Sequence, residues 1–529
     1  MNGTEFWKES LIERQPIALR RLLADAGIVD ADIYGNPEVM VTGVSVNARQ
    51  TARNEMFVAL TGTAVDSHML LGEAVDAGAS VLLTERESAP YPGVTTVRIP
   101  STRQSLGYIA HAYYRFPARA MRVTGVTGTN GKTSTTHILA HLLRSAGHRV
   151  GLIGTLGAEM GDGYVDFGVT TPGPVDLARL FHTMDKRRVD SVVMEVSSHA
   201  IDQGRINGIR FRGAALTNVT HDHLDYHKTF ENYMMCKRRL FTDYVARTPG
   251  SMALFNADDP VGEELCDSYA GDHMAYSTAE GARTPVALRN VTALPHESRF
   301  TLIIEGREAD VCTPLVGAFN LSNMLAAAGC AWSMGMEVEA IAAALGTMRQ
   351  VPGRFEFVNV GQPFSVVVDY AHTPDALERV LRTARRYATG RLICVFGCGG
   401  DRDRSKRPRM GRIAGDLCDY IVVTNDNPRN EDPMGIARGI VEGILDSSLK
   451  ANRYVIEYDR RIAIERAVAL AAPGDVVVIA GKGHEPYQEI SGHRFHFDDR
   501  EVARAVLADQ YGQDPETPAP TPNMESVAS

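Results

Sequence analysis

The run Gly125-Val126-Thr127-Gly128-Thr129-Asn130-Gly131-Lys132-Thr133 constrains this chain more than any other stretch. It joins an apolar strand pattern, RVTGV, to a helical one, THILAHLLRSAG. Glycines at a strand-to-helix turn let backbone N–H groups face an anion, and the start of the helix adds its own partial positive charge. Lys132 supplies a cation, and the Thr133 hydroxyl is a hard oxygen ligand suited to Mg²⁺. The expected ligand is a nucleotide triphosphate, contacted by Gly125, Thr127, Gly128, Thr129, Asn130, Gly131, Lys132, Thr133 and Ser134. The usual G-x-x-x-x-G-K-[ST] spacing asks for glycine at position 126, where this chain has Val126; Gly125 stands one residue early. A glycine turn with no ligand would not require strand, loop, Lys-Thr pair and helix to coincide.

A strand–loop–helix unit of this kind belongs to an α/β fold, and the rest of the chain extends that pattern. At 529 residues it exceeds what one core can bury, and its punctuation divides it into three domains. Residues 1–117 form a small N-terminal α/β domain with the strands VTGVSV, MFVAL and SVLLTE, closed by a helix over residues 102–114. Phe116-Pro117-Ala118 marks the boundary. Residues 118–350 form the central phosphate-loop domain, whose strands SVVMEV and AALTNV predict a parallel sheet. A run of strands over residues 291–315 is attached to it, and residues 317–335 restore a helix. Residues 351–511 form a C-terminal Rossmann-like α/β domain. Its strands SVVVDYA, LICVFGCGG, YIVVTNDNP and DVVVIAGKG each run into a polar or glycine-rich turn, the edge at which open α/β sheets bind ligands. The proline-rich, polar stretch 512–529 reads as a disordered tail.

Composition excludes several classes of function. A net charge of −9 offers no basic footprint for nucleic acid, and 44% hydrophobic with 22% charged residues is an ordinary globular balance. No stretch reaches the ~18 apolar residues of a membrane span, and the first residues mix acids and bases without the apolar core of a signal peptide. Seven scattered cysteines argue against a disulfide framework and for the reducing cytoplasm. Cys394 and Cys398 have no second pair nearby and read as packing residues.

Two further features carry chemistry. Glu195 ends the strand SVVM, where a carboxylate reaches a magnesium site at a neighbouring strand end; the bland reading is a solvated glutamate. The cluster His221-Asp222-His223-Leu224-Asp225-Tyr226-His227 also follows a strand. It resembles the opening of a dinuclear zinc site but carries Tyr226 where that motif needs histidine, so the alternatives are a surface histidine cluster or one histidine near the phosphate magnesium, the reading preferred here. Lys237, amid ENYMMCKRRLF, reads on sequence alone as a surface lysine.

Together GVTGTNGKTS, EVSSHA, TNVTHDHLDYH, CKRRLF, GAFNLSN, PGRFE, VVDYAHTPD and GKGHE, in this order, resemble the Mur ligase family over roughly residues 41–500. The resemblance implies an ATP-dependent amide ligase of peptidoglycan synthesis, and so of cell shape and division. The reaction it implies adds meso-diaminopimelate to UDP-N-acetylmuramoyl-L-alanyl-D-glutamate through an acyl phosphate. It implies Lys132, Glu195, His223 and Lys237 as catalytic, with Thr133, Glu195, His223 and a carbamylated Lys237 holding magnesium. Asn323, Arg354, Asp369 and His372 then grip adenine, ribose or phosphates. Val46, Ala48, Thr63, Ala64 and Val65, followed by Thr170, Thr171, Ser197, Gln203 and Arg205, hold the UDP-muramoyl dipeptide. The Asp-Ser-Arg usual in the family after the first strand is Asn47-Ala48-Arg49 here, which removes a uridine-contacting hydroxyl.

For the incoming amino acid the resemblance points to Arg402, Asp426, Asn427, Pro428, Arg429, Gly481 and Glu485. The string Asp426-Asn427-Pro428-Arg429 resembles diaminopimelate-adding members. Diaminopimelate has a second carboxylate that lysine lacks, and a guanidinium matches it with a bidentate fork. The expected partners are small molecules, with neither nucleic acid nor membrane, and the protein is expected to be a monomer. The alternatives are a folylpolyglutamate-type ligase of the same fold, a paralogue with another amino acid or acceptor, and a non-catalytic nucleotide-binding partner protein.

Overall fold

The computed structural model describes residues 15–62, 65–294, 296–450 and 452–512. Residues 1–14 and 513–529 lie outside the described residues, and with them nearly all of the stretch read as a disordered tail. The chain divides into two compact units, Met1–Met348 and Arg349–Ser529.

The first unit contains two large sheets. One has five strands in the order Asp32–Tyr34, Thr95–Arg98, Val81–Thr84, Met56–Val58, Val44–Ser45, with only the first pair antiparallel. The helix Thr102–Tyr113 covers it, started by Ser101, whose side chain accepts from the Gln104 N–H. Its apolar face, Leu106, Ile109 and Ala110, shares a core with Val175 and Ala178 of the helix Pro174–Lys186. The small sheet is thereby fixed to the larger one.

The larger sheet has eleven strands, with Arg122–Thr127 between Ser191–Glu195 and Phe211–Leu216. The run from Val150–Gly154 to Val286–Ala293 is parallel, and the strands added at both ends are antiparallel. The strands expected over residues 291–315 are this antiparallel end, Ser298–Ile304 and Arg307–Thr313. Central strands such as Val150–Gly154 and Ser191–Glu195 are buried along their whole length, as a sheet covered by helices on both faces requires. From Arg122–Thr127 the chain first adds strands on one side and then, from Phe211, on the other. The end of Arg122–Thr127 is therefore a topological switch point, the place where open α/β sheets bind ligands.

The second unit carries a six-stranded sheet in the order Glu356–Phe357, Ser365–Asp369, Val476–Ala480, Leu392–Phe396, Tyr420–Val423, Tyr454–Ile456, parallel except for the first pair. Its four central strands are the four apolar runs read in the sequence. Their carboxyl ends release the loops that begin at Tyr370, Gly397, Thr424 and Gly481 on one edge of the sheet.

Candidate active site

The phosphate loop follows Arg122–Thr127 and ends at the helix Lys132–Ser145. Gly128 (φ +147°) and Gly131 (φ +87°) hold conformations that side chains rarely adopt. Any Cβ on Gly128 would lie 1.9 Å from the Thr217 Oγ1, and one on Gly131 would lie 2.4 Å from the Asn323 Oδ1. The loop is pinned from the next strand end. The Thr129 N–H donates to the Asn218 carbonyl (2.7 Å), the Asn130 N–H to the Asn218 Oδ1 (3.0 Å), and the Thr217 hydroxyl to the Asn130 carbonyl (2.6 Å). Asn323 reaches this loop from the distant helix Ala318–Ser333, and its Oδ1 also accepts from the Thr135 hydroxyl (3.3 Å). Thr133 and Ser134 are buried in the first turn.

Gly125 is placed differently from the sequence expectation. It lies inside the strand, opposite Met194 and Ala214, and a Cβ there would meet the Phe211 ring at 2.9 Å. Its missing side chain serves sheet packing, which explains why it sat one residue early. Thr127, the last strand residue, accepts at its carbonyl from the Thr217 N–H (3.0 Å).

Lysines 132 and 237 converge on this loop. The Lys132 Nζ donates to the carbonyls of Gly128 and Thr129, both at 2.9 Å, and the Lys237 Nζ donates to the same Gly128 carbonyl at 2.7 Å. Lys237 is buried in the helix Phe230–Arg239, with its Nζ 4.5 Å from the centre of the Tyr233 ring. The surface lysine read from sequence alone is thus corrected: 109 residues separate Lys237 from Gly128, a contact that local pattern does not encode. Burial, and then the Lys132 charge, hold the Lys237 amine far below the usual lysine range.

Glu195 is also buried, at the end of its strand. Its carboxylate accepts from the Thr155 N–H (2.8 Å) and the Thr155 hydroxyl (3.1 Å), and that hydroxyl in turn meets the Thr170 hydroxyl at 3.1 Å. The Thr171 hydroxyl donates to the Glu195 carbonyl (2.9 Å) and accepts from the Ser197 N–H (3.1 Å). Arg205 donates to the Thr171 carbonyl (2.9 Å) and, through two nitrogens, to the Gln203 Oε1 at 3.0 and 2.7 Å. Gln203 donates to the Tyr226 hydroxyl (3.2 Å), which donates to Asp202 (2.7 Å). Thr170, Thr171, Ser197, Gln203, Arg205 and Glu195 are one network, extended by Thr155 and Tyr226, which sequence reasoning did not select.

The histidine cluster packs beside this network. His223 has a left-handed backbone (φ +53°), and its ring lies 4.9 Å from that of His199. Burial lowers the His223 imidazole below its usual value against the pull of Asp222, while burial and the neighbouring imidazoles bring His199 down to about 4. Neutral imidazoles can serve as ligands or hydrogen-bond partners at neutral pH. Among the described residues no three His, Cys, Asp or Glu side chains group as a metal site.

In the small sheet, Ala48 is buried and Val46 and Val65 are exposed, whereas Thr63 and Ala64 lie outside the described residues. Asn47 caps the turn Ala48–Gln50, and Arg49 pairs with Glu73 at 2.8 Å.

The second unit gathers the remaining residues at its strand ends. Asp369 accepts from the N–H groups of Phe355 and Ala371, both at 2.7 Å, and burial pushes its carboxyl up to about 6 against the Arg354 charge. Arg354 stacks on the Tyr370 ring (4.6 Å), and the His372 Nδ1 lies 2.9 Å from the Tyr370 carbonyl. Asn427 donates to Glu485 (2.9 Å), and its Oδ1 accepts from Lys482 (3.1 Å) and from the Glu489 N–H (2.9 Å). Asp426 is buried against Gly481, whose Cβ would stand 2.5 Å from the Asp426 Oδ2. Pro428 is buried, and its carbonyl lies 1.9 Å from where a Cβ on Gly400 would stand. Arg429 (φ +52°) donates to the Gly400 carbonyl (2.8 Å) and lies 3.6 Å from Glu489. Arg402 is exposed on the adjoining loop. Lys482, fully buried and 3.3 Å from Glu485, was missed although it stands inside GKGHE.

Residues 126–331 match the Mur ligase middle domain and residues 353–483 the Mur ligase, glutamate ligase domain. A UDP-N-acetylmuramoyl-L-alanyl-D-glutamate–2,6-diaminopimelate ligase of Bacillus cereus is 40% identical, covering 89% of this chain and 94% of its own. One of the same name from Gloeobacter violaceus is 42% identical, covering 93% and 98%. A solved structure of a ligase with that name superposes with TM-score 0.67 at 31% identity over 94% of this chain and all of the other. The fold alone is shared with MurF ligase from Thermotoga maritima in complex with ADP, at TM-score 0.60 and 19% identity over 89% and 97% of the two chains.

Proposed function

Because the chain belongs to the Mur ligase family, we propose that it joins meso-diaminopimelate to UDP-N-acetylmuramoyl-L-alanyl-D-glutamate at the expense of ATP. The observation that carries this reading is the glycine loop leading into the helix Lys132–Ser145, with Lys132 held on the loop's Gly128 and Thr129 carbonyls. It is a site built for concentrated negative charge.

In this reading the loop N–H groups and Lys132 take the triphosphate, and Asn323, Arg354, Asp369 and His372 contribute nucleotide contacts. Arg205, Gln203, Ser197 and the Thr170-Thr171 pair orient the acceptor. The D-glutamyl carboxylate oxygen attacks the γ-phosphorus, the bond to the β-phosphate oxygen breaks, and ADP leaves with an acyl phosphate formed. The neutral amine of the amino acid then attacks the acyl carbon, phosphate departs, and the amine loses a proton as the amide forms. Protein side chains supply positioning and charge and form no covalent bond to the substrate.

The residues present suit magnesium. Thr133, Glu195 and His223 offer a hydroxyl, a buried carboxylate and an imidazole held neutral. Burial holds the Lys237 amine well below the usual lysine range, which favours the unprotonated form that adds CO₂ and releases a proton to give a carbamate, a further anionic ligand. A bound divalent cation would offset the repulsion between the acceptor carboxylate and the γ-phosphate.

At the strand ends of the second unit, Arg402 and Arg429 suit the carboxylates of diaminopimelate, and Asp426, Asn427 and Glu485 its ammonium groups. We propose domains at 1–117, 118–350 and 351–511 on the ground that each range holds one of the three large sheets. Among the described residues no helix is long and apolar enough to cross a membrane. We assign the enzyme to the cytoplasm, where its seven free cysteines would stay reduced, as a monomer. The test combines purified protein with ATP, Mg²⁺, UDP-muramoyl-Ala-Glu and a panel of amino acids, scoring phosphate release and product mass. Absence of ligation with every amine overturns the assignment.

A further inference from the structure

Among the described residues of the second unit one ion pair, Arg460–Asp499, has no exposure on either side chain. Arg460 begins the helix Arg460–Leu470 and Asp499 begins the helix Asp499–Tyr511. The Arg460 Nε and Nη2 donate to the two Asp499 carboxylate oxygens, each at 2.7 Å. The same guanidinium donates to the carbonyl of Ala480 (3.0 Å) and to that of Asn425 (3.2 Å). The Ala480 carbonyl ends the strand Val476–Ala480 and the Asn425 carbonyl lies two residues past the strand Tyr420–Val423; these strands are not neighbours, since Leu392–Phe396 runs between them.

A buried ion pair is a weak source of stability, because desolvating two charges offsets most of their attraction, and an apolar pair of similar volume often does as well. What the apolar pair lacks is direction. A planar guanidinium held by a bidentate carboxylate fixes the two carbonyls it reaches in both distance and angle. Immediately beyond those carbonyls lie Asp426-Asn427-Pro428-Arg429 and Gly481 to Glu485. The two loops depend on each other's position: Asp426 packs on Gly481, and Asn427 bonds to Glu485 and Lys482.

We infer that Arg460, clamped by Asp499, is a positioning residue that sets the spacing of the two loops carrying the amino-acid pocket. Its contribution is to amine recognition and not to nucleotide or acceptor binding. The inference rests on the proposed function for the existence of that pocket, and it is silent on which amino acid fills it.

The test uses the full-length enzyme with Arg460→Met, Asp499→Leu together, and separately Arg460→Lys, each compared with wild type for KM of all three substrates, kcat and Tm. The expected result is a tenfold or larger rise in KM for the amino acid in the double variant, with KM for ATP and acceptor within twofold and Tm close to wild type. Arg460→Lys, which keeps the charge but not the fork, is expected to fall between. Unchanged KM for the amino acid in the double variant overturns the inference, and so does a rise shared equally by all three substrates. If the double variant unfolds, Arg460→Lys alone decides by the same KM criterion. Should wild type prefer an amine other than diaminopimelate, the assignment of substrate fails while the comparison, run with the preferred amine, still reads the role of Arg460.

Discussion

An amine adds CO₂ only when it is unprotonated, so the burial of Lys237 bears directly on its chemistry. Lys237→Ala should lose activity by about 10²- to 10³-fold, the range for removing one well-placed electrostatic partner. Acetate should restore a large part of the loss in turnover assays, because on the proposed carbamate the missing element is an anion. Full activity of the variant without additive would refute the carbamate. Lys132→Ala should abolish turnover with little change in Tm, since the side chain is held by carbonyls of the loop and packs in no apolar core; near-wild-type turnover would remove the phosphate-loop role. The residue scale is also where sequence reading reached its limit. The loop from Gly128 to Thr133 was legible because its chemistry is local. Lys237, Lys482 and Arg460 were not, because a lysine or arginine among other charged residues looks solvated until distant segments fold over it. The left-handed backbone that presents Arg429 likewise leaves no mark in the string Asn427-Pro428-Arg429.

Elements were more legible than residues. Apolar runs ending in glycine or polar turns marked the parallel strands of both units, and the helix of residues 102–114 is found at Thr102–Tyr113. The order of strands in the sheets was not legible, since alternating strands and helices fit many windings of one sheet. That same helix carries His111, fully buried against Phe181, with neither ring nitrogen bonded among the described residues. Burial, with the Arg119 charge second, brings its pKa down to about 3 from 6.5. An unfolded chain therefore takes up a proton near pH 6.5 that the folded chain refuses until about pH 3. Stability is unaffected by this group above pH 6.5 and is lost as pH falls between the two values, at up to about 1.4 kcal/mol per pH unit. Urea midpoints measured from pH 7.5 to 4 should decline less steeply for His111→Leu than for wild type. Parallel declines would show that the buried imidazole does not limit acid stability.

On the scale of the whole molecule, the proposed chemistry divides along the chain. The phosphate loop, Glu195, Lys237 and the acceptor network belong to the first unit, and the amine pocket belongs to the second. Variants should therefore separate the two chemical steps. Acyl-phosphate formation, read by borohydride reduction of the trapped intermediate, should fail in Lys132→Ala and persist in Arg429→Ala. Amide formation should then expose what Arg429 does. Its guanidinium is already oriented by the Gly400 carbonyl and by Glu489, so little side-chain entropy is lost when it meets a carboxylate. Lysine offers that fork nothing, whereas diaminopimelate offers a second carboxylate, a difference of ~2–4 kcal/mol for a charged, partly desolvated contact. Wild type should accordingly favour diaminopimelate over lysine by roughly 30- to 1000-fold in kcat/KM, and Arg429→Ala should lose most of that preference through its effect on diaminopimelate, leaving lysine nearly as poor as before. Equal kcat/KM for the two amines in wild type, or an undiminished preference in the variant, would show that selectivity is set elsewhere. A variant that also fails to form the acyl phosphate would show that the two units do not divide the steps in this way.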